Sequence, residues 1–165
     1  MDNSKKNAEM THTETALQLF ESGFNCAQSS FYPFAKNMGI SKKHALNITT
    51  AFGAGIIYRG EMCGAITGAM LAIGLKFGRS EAEDADAKEL TYFLVKELHT
   101  KFEKEFGSLH CKHLLGLNDV SAESWAKVNE DKKFKSNCPL YVAKAVEIAN
   151  ELFKKLENEN KTKNS

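Results

Sequence analysis

Arg59-Gly60-Glu61-Met62-Cys63-Gly64-Ala65-Ile66-Thr67-Gly68-Ala69-Met70-Leu71-Ala72-Ile73-Gly74-Leu75 is the stretch that decides the fold. From Met62 to Leu75 the hydroxyl of Thr67 is the one polar side-chain group. This run of 14 residues falls short of the roughly 20 that cross a bilayer. It is long enough for a helix buried on all sides. Gly64, Gly68 and Ala72 recur at every fourth position and form one narrow ridge. Glycine inside a helix costs up to about 1 kcal/mol relative to alanine. The repeat therefore points to close approach, either of a neighbouring helix or of a cofactor lying on Gly64 and Gly68. Cys63 stands at the polar end of the run.

Working outward, Gly78 ends this helix, and Ser80-Glu81-Ala82-Glu83 is a capping-box signature for the next. Leu90, Phe93 or Leu94, Leu98, Phe102 and Phe106 carry its 3.6-residue period to Gly107. On the other side, Phe52 to Gly60 is glycine-rich but lacks G-x-x-x-x-G-K-[ST], and Tyr58 stands where G-x-G-x-x-G needs its third glycine. It reads as an irregular turn feeding the central helix. Earlier still, one helix is expected from about Thr13 to Glu21. A second follows Asn25, kinked or broken at Pro33, and a third runs from Ser41 to about Thr50. Beyond Gly107, Ser108 is expected to cap Leu109 to Leu115, and Trp125 to lie in a helical turn after Ser121. The last helix begins at Cys138-Pro139 and buries Leu140, Val142, Ala143, Val146, Ala149, Leu152, Phe153 and Leu156. The prediction is an all-α, single-domain helical bundle over residues 1–165. A buried Gly/Ala-rich central helix at 62–77 organises it, with flexible tails at 1–10 and 158–165.

The chain of 165 residues is long enough for a real core without disulfides. Its formal net charge of +1 gives no pull toward nucleic acid or anionic lipid. The N-terminal MDNSKKNAEMTHTE has no apolar segment of the secretory kind, so a cytoplasmic location is expected. In that compartment cysteines stay reduced unless they bind metal or turn over.

Cys26, Cys63, Cys111 and Cys138 each fall at the expected start of a different helix. Helix N-termini carry partial positive charge and unpaired N–H donors. A thiol there is expected to ionise more readily than a free one, and the thiolate is the form that binds metal and attacks disulfides. The gaps of 37, 48 and 27 residues contain no C-x-x-C, so a shared site has to be assembled by the fold. The alternative is that the four are small buried hydrophobes.

The ordered set Cys26, Cys63-Gly64-Ala65-Ile66-Thr67-Gly68, Cys111 and Cys138-Pro139 resembles the C_GCAxxG_C_C family of redox-active proteins. Phe24-Asn25-Cys26-Ala27, Gly60-Glu61-Met62-Cys63 and Phe106 to Gly116 extend the resemblance to residues from about 14 to 155. Here Met62 precedes the central cysteine, and Gly64 separates it from Ala65. The resemblance implies a helical fold and redox chemistry through the cysteines. A related domain accompanies haem in certain multi-domain cytochromes, where an iron–sulfur centre is associated with it.

Two mechanisms follow for Cys26, Cys63, Cys111 and Cys138 together. They hold an iron–sulfur cluster as metal ligands, or they cycle between dithiol and disulfide as catalytic groups toward an unknown redox partner. In the second, Cys111 or Cys138 is the expected attacker, because both sit on short polar approaches. The rival is a non-enzymatic helical module with a structural zinc site or a partner-binding role. His110 and His113 flank Cys111 and are the histidines placed to join a metal site. Arg59 is placed to lower a nearby thiol pKa, and Glu61 to cap the central helix or act as an acid/base. His12, His44 and His99 have no supporting neighbours in the sequence.

Overall fold

A computed structural model describes residues 10–163, and the N-terminal tail expected at 1–10 lies almost wholly outside them. Its helices are α1 (His12–Glu21), α2 (Cys26–Asn37), α3 (Lys42–Thr49), the short α4 (Gly53–Ile56), α5 (Gly64–Phe77), α6 (Ala85–Phe106), α7 (Cys111–Leu114), α8 (Ala122–Glu130), α9 (Lys133–Ser136) and α10 (Cys138–Lys163). The fold is all-α. Among the described residues the one β pairing is a single bridge between Met62 and His110.

The central stretch is α5, and it packs most extensively on α2, then on α10 and α6. Ala65, Ile66, Ala69, Ala72 and Ile73 have no exposed surface. The glycine ridge admits α2. A methyl group at Gly68 would lie 2.6 Å from the Ala27 carbonyl oxygen, and one at Gly64 would lie 2.7 Å from the Cys26 sulfur. The space beside Gly64 and Gly68 is thus filled by a neighbouring helix. The expectation of a cofactor on those glycines is corrected accordingly.

Local signals set the helix starts. The Thr11, Asn25, Ser41 and Ser121 side chains accept the N–H groups of Glu14, Gln28, His44 and Ser124, which opens α1, α2, α3 and α8. Five expectations differ from what is observed. Pro33 lies inside α2, which continues to Asn37; burial of Phe31, Phe34 and Ala35 outweighs one missing hydrogen bond. The cap of α6 is Asp84, whose carboxylate accepts from Ala87 N–H, and not Ser80. Ser108 Oγ accepts from His110 N–H, and α7 begins only at Cys111. Leu140 points outward at 60 % exposure. The helical pattern of α10 continues past Leu156 as far as Lys163.

The turn before α5 is wound the wrong way. Ala54, Gly55, Ile56, Ile57 and Tyr58 have φ of 51°, 64°, 61°, 49° and 65°. Ile57 N–H donates to the Gly53 carbonyl at 2.9 Å, closing one turn of left-handed helix. Each non-glycine residue there costs roughly 1–2 kcal/mol. This strap is held at its far end by the Trp125 Nε1–H, which donates to the Tyr58 carbonyl at 2.8 Å.

Candidate functional site

Cys26, Cys111 and Cys138 are the first residues of α2, α7 and α10, and Cys63 is the residue capping α5. All four are unpaired thiols with 3–7 % of their surface exposed. Backbone pairing positions two of them. Cys63 N–H donates to the Leu109 carbonyl at 2.8 Å, and Cys111 N–H donates to the Glu61 carbonyl at 2.7 Å. Residues 61 and 63 on one strand and 109 and 111 on the other then share a face, because side chains alternate along extended chain. Cys26 arrives beneath the first turn of α5 through the room left at Gly64. Cys138 arrives at the start of α10, and Tyr141 one turn later donates its hydroxyl to the Leu114 carbonyl at 2.9 Å, tying α10 to α7.

The thiols act on one another. Charge at Cys26 raises the pKa of Cys63, Cys111 and Cys138; Cys111 raises Cys63; Cys138 raises Cys111; and Cys63 raises Cys138. Every pairing of the four is therefore coupled. Parts of the chain as far apart as residues 26 and 138 bring their sulfurs into one electrostatic cluster.

The sign of the pKa shift is opposite to the sequence expectation. Burial pushes all four thiols above the ordinary value, and Cys63 well above it. Stripping water from a thiolate costs more than the helix terminus returns. Cys26 is the best compensated. The N–H groups of Cys26 and Ala27 from α2, Gly64 from α5 and Ala54 from the strap all favour its charged form. At Cys63 only Ala65 and Ile66 do so, and at Cys111 and Cys138 the causes are burial and the neighbouring thiols. Cys111 and Cys138, the attackers expected from the sequence, have no such offset, and Cys26, though also shifted upward, has the largest one.

Four thiols with no carboxylate among them have the donor chemistry of zinc or an iron–sulfur centre. Among the described residues, however, no group of three or more His, Cys, Asp or Glu side chains stands where it could hold a metal ion. Thiols that feel one another's charge need not meet at one bonding radius.

His110 and His113 are exposed, with their rings 5.6 Å apart at the centroids and the His113 Nδ1 3.3 Å from Ser108 Oγ. Arg59 and Glu61 are also exposed. Glu61 contributes through its backbone, not as a cap: its N–H donates to the Gly55 carbonyl at 3.0 Å and its carbonyl holds Cys111. The sequence reading missed the strap as a component of the site. Its Gly55 backbone lies so close to Cys111 that a methyl group there would sit 2.6 Å from the cysteine Cβ. The signal was the density of glycine between residues 53 and 60.

Residues 24–152 match the family described as "Putative redox-active protein (C_GCAxxG_C_C)". No curated protein and no solved structure matches the chain. Among the described residues no helix is long and apolar enough to cross a membrane.

Proposed function

We propose a thiol redox function for this chain, which belongs to the C_GCAxxG_C_C family. The observation that carries the reading is the Cys26 sulfur. Burial raises its pKa, the backbone N–H groups of Ala54, Cys26, Ala27 and Gly64 offset part of that rise, and it is coupled to three further thiols. Anion-stabilising donors around one sulfur, with reserve thiols beside it, suit thiol–disulfide exchange.

In this reading the Cys26 thiolate attacks one sulfur of a partner disulfide. The partner S–S bond breaks, a mixed disulfide forms, and the departing partner sulfur takes up a proton. A second cysteine of the cluster then attacks the Cys26 sulfur and frees the other partner thiol. Two protein thiols are oxidised to one disulfide, and one partner disulfide is reduced to two thiols. Cys26 is buried, and the strap backbone at Ala54 lies beside it, so in this reading exchange proceeds through movement of the Ala54–Tyr58 strap.

The test uses protein purified without oxygen, followed by metal analysis, an absorption spectrum and alkylation mapping after exposure to oxidised dithiothreitol. The expected result is colourless, metal-free protein in which Cys26 and one partner cysteine become protected from alkylation. Cys26→Ser is expected to abolish that oxidation while the fold survives. Absorption near 400 nm with iron and sulfide would replace this reading by an iron–sulfur centre held by the same cysteines. Bound zinc without colour would replace it by a structural site. Four thiols that never oxidise would leave a partner-binding module.

A further inference from the structure

Tyr92 and Phe93 are adjacent aromatic residues of α6, and they are 64 % and 54 % exposed. Leu94, Leu98 and Phe102 bury the inner side of the same helix, so the two rings project from its outer side. Beside Tyr92 the surface opens into an apolar groove whose α5 wall includes Met70, Leu71 and Leu75. Leu75 is itself 40 % exposed. Large apolar side chains grouped in the open mark an interaction surface, and aromatic residues concentrate at the centre of such surfaces.

The charges around the rings select the occupant. Glu89 stands one turn before them and Lys96 one turn after. Both are exposed, and among the described residues neither forms an ion pair. They are seven positions apart, so they share one stripe of the helix and lie about 10 Å apart along its axis. Tyr92 and Phe93 occupy the midpoint between them. Turning α6 end for end about that midpoint puts Glu89 in the place of Lys96, and Lys96 in the place of Glu89. The stripe is therefore complementary in charge to a second copy of itself laid antiparallel. The same rotation sets Ala85 opposite Thr100, two small side chains that let helices approach to the usual distance of about 8–10 Å. A partner helix or a lipid surface of one charge sign would satisfy one of the two residues and repel the other.

We propose that this face joins two copies of the chain in an isologous dimer, with α6 packed antiparallel on the same helix of the second copy. Tyr92 and Phe93 of both copies meet at the twofold axis. On either side of them Glu89 pairs with the partner's Lys96. The dimer does not depend on the thiol chemistry, since none of the four cysteines lies on α6.

The experiment is sedimentation equilibrium of the full chain in excess reductant, which excludes disulfide-linked species. A monomer–dimer equilibrium in the micromolar range is expected. Glu89→Lys sets cation against cation, and Lys96→Glu sets anion against anion. Each is expected to weaken self-association at least tenfold. Mixing these two single variants is expected to give a heterodimer, because every facing pair is then opposite in sign. The double variant is expected to dimerise like the parent. Phe93→Ser is expected to weaken association at least tenfold, with an unfolding midpoint close to the parent. Glu105→Lys reverses a charge on the opposite side of α6 and is expected to leave the dimer unchanged. A chain that stays monomeric throughout overturns the proposal. So does a dimer that survives both single reversals or Phe93→Ser, or one that Glu105→Lys disrupts equally. A mixture of the single variants, or a double variant, that remains monomeric overturns the antiparallel pairing.

Discussion

Gly64, Gly68 and Gly74 are one helix's glycines with different surroundings. A Cβ at Gly64 or Gly68 would press on α2 or on the Phe52 carbonyl at 2.6–2.8 Å, while one at Gly74 meets open space. Gly64→Ala and Gly68→Ala are expected to destabilise by about 1–3 kcal/mol, since backbone cannot yield as a flexible side chain does. Gly74→Ala is expected to stabilise by up to about 1 kcal/mol through helix propensity. Urea unfolding of the three variants reads this directly; equal effects at all three would remove the close-packing account. The repeat itself was legible in the sequence. Which of its glycines touch a neighbour was not, because that depends on the crossing of α2. The same holds for the cysteines. Their places at helix starts could be read, but the depth of burial that reverses their pKa shifts is a property of the assembled interior.

The strap is an element whose conformation opposes its composition. Ile57 is 64 % exposed and sits at φ 49°. It loses little packing when truncated, and glycine tolerates that φ freely. Ile57→Gly is therefore expected to raise the unfolding free energy by about 1 kcal/mol and to slow alkylation of Cys26. A lower thermal midpoint would count against a strained strap. Trp125→Phe removes the indole donor to Tyr58. It is expected to accelerate alkylation of Cys26 several-fold, as followed by mass spectrometry; an unchanged rate would show that the strap does not govern access. The helices themselves were largely legible from caps and period. The strap was not, since four of its five left-handed residues carry side chains that favour right-handed backbone. The shift from Ser80 to Asp84 at the start of α6 reflects two acceptable caps four residues apart, of which the Asp84 carboxylate is the one that reaches Ala87 N–H.

For the whole molecule, four buried thiols make stability depend on alkaline pH. Each is raised above the ordinary value of 9.0 by burial. The unfolded chain then loses protons first. Stability is fully present below pH 9 and falls as pH rises past it, by up to about 1.4 kcal/mol per pH unit for each thiol. Unfolding midpoints from pH 7 to 11 are expected to drop steeply, and the Cys26→Ser variant to drop less steeply. A flat profile would mean that the thiols ionise as easily folded as unfolded. At this scale the sequence was most informative: one apolar run, few prolines and repeated amphipathic period leave little but an all-α bundle. What spacing could not supply is that segments 37, 48 and 27 residues apart converge, because convergence is a product of packing and has no local signature.

Because α10 both delivers Cys138 and packs against α1, the interior is closed by a helix synthesised after the other three cysteines. A nascent chain already holds three of the sulfurs while the wall that shelters them is missing. Until the closing helix docks, those sulfurs face solvent and any oxidant in it. Maturation of this protein is thus also the moment at which its reactive atoms are withdrawn from indiscriminate chemistry, and a cell short of reductant would do its damage before that moment.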